Sequence, residues 1–297
     1  MAGDGIALTA VCRRQWFSST QIFSLLNAIV LTYHSNNILG SDYASNDHLA
    51  LAADLQLLSD CRIEVVPLQQ LARCVLGQAD WPAQPTVALS FDDGSWFDWY
   101  DLPHPAFGLQ PSFRRILAEA PSPVCATSFV IASPQARQQL DRSCLIGQGW
   151  WGDEWWPEAA AGELIQIENH SWDHNHETLL STVLGDRRKG TFYSVNDDWA
   201  AEREIVAAKR YIEQRCGRGL TSELFAYPYG EAPDFLVREF FPRRGRQLGF
   251  KAAFTTEPKP LSAGDDPWTL GRYVCGFHWT NPDQLRQILR DAKLMVD

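Results

Sequence analysis

Residues 86–94 read Thr-Val-Ala-Leu-Ser-Phe-Asp-Asp-Gly. The first six are apolar or small almost without a break, the pattern of a short strand covered on both faces, as in a parallel sheet. The last three set two carboxylates and a turn glycine at that strand's carboxyl end. Outward from this stretch the same arrangement recurs. Strands are predicted over 28–33 (AIVLTY), 63–66, 86–91, 124–131, 164–167, 224–227, 252–255 and 270–274. Helical periodicity is predicted over 48–58, 68–76, 112–120, 199–216, 235–248 and 283–293. The clearest helix is 199–216: Ala201, Ile205, Ala208 and Ile212 form one stripe, Asn196-Asp197-Asp198 offers an N-cap, and Gly217 a stop. Such β-α alternation predicts an α/β fold with a parallel sheet under helices, and seven or eight strands favour a barrel over an open sheet. Two stretches, 94–110 and 145–162, look irregular and are rich in Trp, Gly and Pro; loops that long in a compact domain usually serve function.

Composition narrows the partners. The chain has 297 residues, 45% of them hydrophobic, and a formal charge of −10. An acidic surface argues against nucleic acid and anionic membranes. No apolar run approaches the roughly 18–20 residues needed to span a bilayer. The seven cysteines are scattered and never form C-x-x-C, which excludes a disulfide framework or thiolate zinc site and leads us to expect a reducing, cytoplasmic setting. Residues 1–27 read as an N-terminal extension or early helix; Arg13-Arg14 precede a partly apolar stretch broken by polar residues, so a signal peptide is the lesser alternative. Twelve Trp stand against two Met. Indoles suit flat, partly apolar ligands such as sugar rings, or they simply fill the core.

Ionisable residues gather just past the predicted strands: His34 after the first, Asp92-Asp93 after 86–91, and His170, His174 and His176 after 164–167. Residues converging from several strand ends are what a (β/α) barrel active site requires. Three of the seven histidines lie within 170–176. Two imidazoles leave a divalent ion needing an anionic ligand, and Asp92 or Asp93 can supply it. Two His and one carboxylate with an open position make a hydrolytic metal site. Adjacent carboxylates point in different directions, so one of the pair ligates and the other serves as base. On their own, Asp92-Asp93-Gly94 would read as a turn and the histidines as a solvated loop.

Ser90-Phe91-Asp92-Asp93-Gly94, His170-Ser171-Trp172-Asp173-His174 and Tyr227-Pro228-Tyr229-Gly230, in that order, resemble three motifs of the polysaccharide deacetylases, the NodB-homology group of carbohydrate esterases. The resemblance runs from about residue 28 to about 275. It implies one domain over 28–297, a deformed (β/α) barrel of about seven parallel strands. It also implies one divalent metal, zinc first and cobalt, nickel, iron or manganese as alternatives, and removal of acetyl groups from N-acetylated sugars. Carried over residue by residue, it makes Asp92 the general base, Asp93, His170 and His174 the metal ligands, and the Tyr229 backbone N–H a donor to the oxyanion. Candidate sugar contacts are Trp96, Trp151, Trp155, Trp172 and Tyr227.

Three departures from the family pattern matter. The third motif usually begins with an Arg that orients the base; Ala226 stands there, and Arg272 on the last predicted strand is the candidate replacement. The general acid, in an L-x-H motif, usually lies near the C-terminus. Gly276-Phe277-His278 lacks the Leu, while Leu31-Thr32-Tyr33-His34 sits at a strand end before the first motif. That order resembles a circularly permuted branch acting on poly-N-acetylglucosamine, which favours His34 over His278. His176 has no counterpart, and is either an auxiliary ligand or a solvated loop residue; His48 and His104 read as structural or solvated. Two alternatives remain open: hydrolysis of another amide (a formamido sugar, cyclic ureide or imide) on the same scaffold, and a non-catalytic carbohydrate-binding barrel. The oligomeric state is left open.

Overall fold

The computed structural model describes residues 28–185, 188–217 and 219–295; the predicted N-terminal extension, 1–27, lies outside them. Strands β1 (Ala28–Tyr33), β2 (Glu64–Val65), β3 (Thr86–Asp93), β6 (Ala126–Val130), β7 (Ile165–Asn169), β8 (Leu224–Ala226), β9 (Ala252–Phe254) and β10 (Tyr273–Val274) form one sheet. Its order is β10-β1-β3-β6-β7-β8-β9, with β2 also against β3, and all pairings are parallel. The segment before β10 joins the sheet's two edges. Thr255 N–H donates to Leu270 O (2.8 Å) and Leu270 N–H to Ala253 O (3.0 Å), after which β10 pairs with β1. The sheet is thereby a deformed (β/α) barrel.

Side-chain alternation sorts its two faces. Ala28, Val30, Ala88, Phe129, Leu224, Ala226, Ala252, Phe254 and Leu270 meet across the interior. The alternate residues Ile29, Leu31, Tyr33, Val87, Leu89, Ile165 and Ile167 pack under helices, among them α1 (Asp47–Asp60), α3 (Phe113–Ala118), α5 (Trp156–Ala161) and α7 (Ala207–Cys216). Toward the carboxyl ends the interior turns polar: Thr32 and Ser90 hydroxyls pair at 2.8 Å. Glu168, inward on β7, accepts from Ser222 Oγ (2.8 Å), Leu224 N–H (2.9 Å) and Gln69 Nε2 (3.1 Å).

The predicted helix 199–216 is continuous but not uniform. Asp197 caps α6 (Asp198–Ala201) by accepting from Ala200 N–H, a π-helical turn follows at Glu202–Val206, then α7, ended by Gly217 at φ 94°. Helix α2 (Leu68–Val75) and helix α8 (Pro282–Asp291) fall where the periodicity puts them, and predicted helix 235–248 is a π-helical segment, Leu236–Gly245. The stretches expected to be irregular carry structure: an antiparallel hairpin, β4 (Leu102–His104) with β5 (Gly108–Gln110), and α5. Helix α4 (Pro134–Cys144) has no obvious apolar stripe because it buries Arg137 and Asp141 beside Ala136 and Leu140; Ser133 caps it and Pro134 opens it. Among the described residues no helix is long and apolar enough to cross a membrane.

Candidate metal centre

Continuing the alternation of β7, His170 points inward just past the strand. Its Nδ1 lies 2.9 Å from Ala226 O, so Nδ1 carries the proton and Nε2 is left bare. That Nε2 faces Asp93 Oδ1 at 3.7 Å and Asp92 Oδ2 at 3.9 Å. Asp92 shares the inward parity of Ala88 and Ser90. Asp93 has the opposite parity and enters the site only because its backbone is left-handed, φ 76°. Its Oδ2 accepts from Asn36 Nδ2 (3.1 Å), leaving Oδ1 for the histidine side. His174 returns to the centre through a tight turn in which its N–H donates to Ser171 Oγ (2.9 Å). The two imidazoles meet edge to face, centroids 4.9 Å apart.

One donor atom from each of Asp93, His170 and His174 lies within 4.8 Å of the others. His174 Nδ1 is buried without a hydrogen-bond partner. Burial, with His170 and His176 nearby, holds that imidazole's pKa well below its ordinary value. A buried orphan nitrogen costs about 1–3 kcal/mol, and a neutral imidazole is a ready ligand. The donor set, two imidazoles and one carboxylate, fits a divalent ion with positions left open.

Backbone strain concentrates here. Among the described residues seven non-glycine positions have positive φ; four of them, Asp93, Ser171, His174 and Tyr229, belong to these motifs, and a fifth, Asn175, directly follows the second. Left-handed non-glycine residues cost of order 1 kcal/mol each and persist where surrounding structure over-determines them.

Arg272 grips Asp92 from the closing segment. Its Nη1 donates to Oδ1 (2.7 Å) and Nη2 to Oδ2 (2.9 Å), while Nε donates to Thr255 O (3.2 Å). Burial alone would push the Asp92 carboxyl up; the Arg272 guanidinium and His170 together hold it well below the usual carboxylate range. Arg272 is itself fully buried and lies over the Phe129 ring.

His34, Asp92, His170, Trp151, Tyr229 and Val274 are among the residues lining a cavity of about 200 Å³ at this end of the barrel. The loop carrying His34 is pinned: Asp47, buried at the start of α1, accepts from His34 N–H (2.8 Å) and Asn37 Nδ2 (2.6 Å). His48 Nε2 lies 2.9 Å from Ser35 O and Nδ1 2.7 Å from Pro111 O, a structural placement. His278 is not among the cavity-lining residues, and its Nδ1 accepts from Val274 N–H (2.7 Å). The Tyr229 ring is half-exposed and stands edge-on to His174 at 4.5 Å, with its backbone at φ 58°. His176 sits on the rim, Nε2 3.9 Å from Cys144 Sγ; His104 stacks on Phe107 in the hairpin.

The aromatic candidates separate. Trp151 forms part of the cavity wall, its Nε1 donating to Asp93 O (3.1 Å). Trp96 is partly exposed outside the cavity, with Nε1 donating to Glu154. The other three are not among the residues lining the cavity. Trp155 is fully buried and stacked on Trp99 at 5.7 Å. Trp172 packs edge-on against Tyr211, and buried Tyr227 donates its hydroxyl to Trp268 O (2.9 Å). A long loop over a barrel needs apolar anchors, and most of these rings meet that need. Asn36 and Asp47 escaped the sequence reading; the one signal for Asn36 was its place two residues past His34.

A family model described as polysaccharide deacetylase matches residues 80–251. Among solved structures, the chain resembles IcaB from Ammonifex degensii at 22% identity over 90% of this chain and 97% of that one, TM-score 0.61. It resembles the Streptococcus pyogenes deacetylase PplD at 17% identity over 89% and 99%, TM-score 0.59. A de-N-acetylase from Aggregatibacter actinomycetemcomitans matches at 17% identity over 89% and 100%, TM-score 0.60. At such identities these likenesses establish the fold. A search of curated protein sequences finds no match.

Proposed function

The chain belongs to the polysaccharide deacetylase family, and from that premise we propose that it is a metal-dependent hydrolase removing acetyl groups from N-acetylated sugars, with zinc as its ion. The observation that carries the reading is the gathering of Asp93, His170 and His174 donors beside an Arg-held Asp92 in one cavity. Relatives described as deacetylases support the choice of bond.

Asp93, His170 and His174 would hold a divalent ion, which would supply Lewis acidity to the acyl carbonyl and acidify water enough for a weak base to deprotonate it. Asp92 is that base: the Arg272 fork keeps it ionised and fixes both oxygens, and fixed geometry offsets its low intrinsic basicity. The Tyr229 N–H donates to the developing oxyanion, an interaction of the kind that lowers such barriers by about 3–4 kcal/mol. His34, on the cavity wall, protonates the leaving amine, which departs only as the neutral amine. Trp151 walls the space beside Asp93 and, through its Nε1 donating to Asp93 O, fixes that backbone.

The test is acetate release from N-acetylated mono- and oligosaccharides, with N-formyl sugars alongside, before and after chelation. Chelator-sensitive acetate release, restored by zinc, is expected. No release from any acetylated substrate by zinc-loaded protein would sink the proposal.

A further inference from the structure

The histidine loop is held by something the three motifs do not contain. The helix opposite it is interrupted by the π turn Glu202–Val206, where Ala207 N–H donates five residues back to Glu202 O. Such a turn shifts the ladder and leaves backbone and side chains presented out of register; π turns recur at functional sites. Two groups on this one face the loop. Ile205 O accepts from Asn169 Nδ2 (3.0 Å), and Asn169 Oδ1 in turn accepts from Ser171 N–H (2.8 Å). Glu204 Oε2 accepts from Trp172 N–H (3.2 Å) and Asp173 N–H (3.4 Å).

Glu204 is fully buried, and its carboxyl lies against that of Asp173, which together with burial pushes its pKa up. Burying a carboxyl there is costly, and a leucine of similar volume would avoid that cost only by leaving the Trp172 and Asp173 N–H groups without an acceptor. The loop also needs outside support. Ser171, His174 and Asn175 are all left-handed, and the loop's outer half is tied separately, through Asp173 accepting from Asn175 and Val183 N–H and through Asn175 Nδ2 donating to Thr191 O. Between the two histidines the carbonyls of Ser171 and Trp172 accept from Ala132 N–H (3.0 Å) and Ser133 N–H (2.6 Å), and Glu204 is the acceptor for the N–H groups of Trp172 and Asp173.

We infer that Glu204, presented by the π turn, is a positioning residue that holds the His170–His174 loop in its metal-binding geometry. It never touches the ion. With Glu204 in place, the N–H groups of Trp172 and Asp173 are fixed, so His174 is delivered to Asp93 and His170 before any ion arrives. Without it those N–H groups are buried and unpaired, and the strained His174 backbone relaxes away from the centre. The inference rests on the metal-site reading above.

The experiment measures zinc affinity by competition with a chromophoric chelator, and the visible spectrum of the cobalt-loaded protein, in Glu204→Gln, Glu204→Leu and Glu204→Asp, each beside the thermal midpoint of its metal-free form. Glu204→Gln keeps an acceptor oxygen in place and is expected to bind zinc within about threefold of wild type with an unchanged cobalt spectrum. Glu204→Leu fills the volume without an acceptor and is expected to weaken zinc by about 10–100-fold, the usual effect of losing a partner that orients a ligand, while its metal-free form still folds, with a midpoint below that of Glu204→Gln because two buried N–H groups lose their acceptor. Should Glu204→Leu fail to fold, Glu204→Asp, one methylene short, is expected to show the same direction of loss. Wild-type affinity in Glu204→Leu, or equal loss in Glu204→Gln, would overturn the inference while leaving the deacetylase proposal standing. A wild-type protein that binds no divalent ion would end both.

Discussion

Replacing Arg272 tests the centre through its most buried ion pair. In Arg272→Met, Asp92 keeps its carboxylate in a site with almost no solvent access and loses both guanidinium bonds, 2.7 and 2.9 Å. Removing one partner of such a pair costs about 3–5 kcal/mol, because the remaining charge is left uncompensated. Asp92→Asn strands the guanidinium in the same way, although Arg272 retains its bond to Thr255 O. The double variant removes both charges and is expected to recover part of the loss, giving a coupling energy of about 3 kcal/mol in the cycle. Arg272→Lys keeps the charge but reaches one oxygen at a time and gives up the Thr255 bond, a loss of roughly 2–4 kcal/mol. Urea unfolding in the presence of a chelator measures these differences without metal linkage, and turnover is followed in parallel. Coupling below about 0.5 kcal/mol, or full turnover in Arg272→Lys, would refute the view that Arg272 holds the base.

Four more outcomes are expected. Burial pushes the Asp98 carboxyl up to about 7, against donation from Ser128 Oγ at 2.6 Å; its folded pKa is above the unfolded one, so its contribution is complete below about pH 4 and is lost as pH rises to about 7, at roughly 1.4 kcal/mol per pH unit. Asp98→Asn should flatten that slope in unfolding measured between pH 5 and 8, and an unchanged slope would show that Asp98 is ionised throughout. Chelation of protein held at a hundredfold excess of metal over Kd should remove about 2.7 kcal/mol, roughly 4–5 °C of Tm, and His174→Ala should be indifferent to chelator. His34→Ala should lower kcat by about 10²–10⁴-fold, whereas His278→Ala, whose imidazole serves the Val274 backbone, should leave it nearly unchanged; equal losses in both would reassign the acid. Trp151→Ala should raise KM, whereas Trp155→Ala should cost roughly 3–5 kcal/mol of stability at constant KM; a KM change in the latter would put its ring in contact with substrate.

The barrel was legible because strands covered on both faces write themselves as nearly unbroken apolar runs, as β1 and β3 do, whereas β7 alternates Ile165 and Ile167 with inward Gln166 and Glu168. The meeting of Asp93, His170 and His174 could be anticipated because all three follow strand ends. What stayed hidden depended on context. Helix α4 buries Arg137, whose Nη2 donates to Asp153 at 2.6 Å, so its inward face looks polar in sequence. Trp155 and Trp151 are four residues apart in one Trp-rich loop, and only the path of that loop sends one into the core and the other to the cavity wall. Asp93 is of the wrong parity for the site until its backbone turns left-handed. Glu204 sits beside an apolar stripe and reads as a solvent-facing helix residue; a π turn, which shifts the register locally, has no periodic signature.

The segment that closes the barrel is also the one that brings Arg272, which sets an order for biogenesis. Synthesis delivers Asp92, Asp93, His170 and His174 well before residue 272, and the paired edge of β1 waits for Tyr273 and Val274. Until that stretch is made, a nascent chain holds every candidate ligand yet has an open sheet and a buried carboxylate with no counter-charge. A chain ending before residue 272 therefore loses its fold's seam and its base's anchor together, so closure of the barrel and completion of the site are one event.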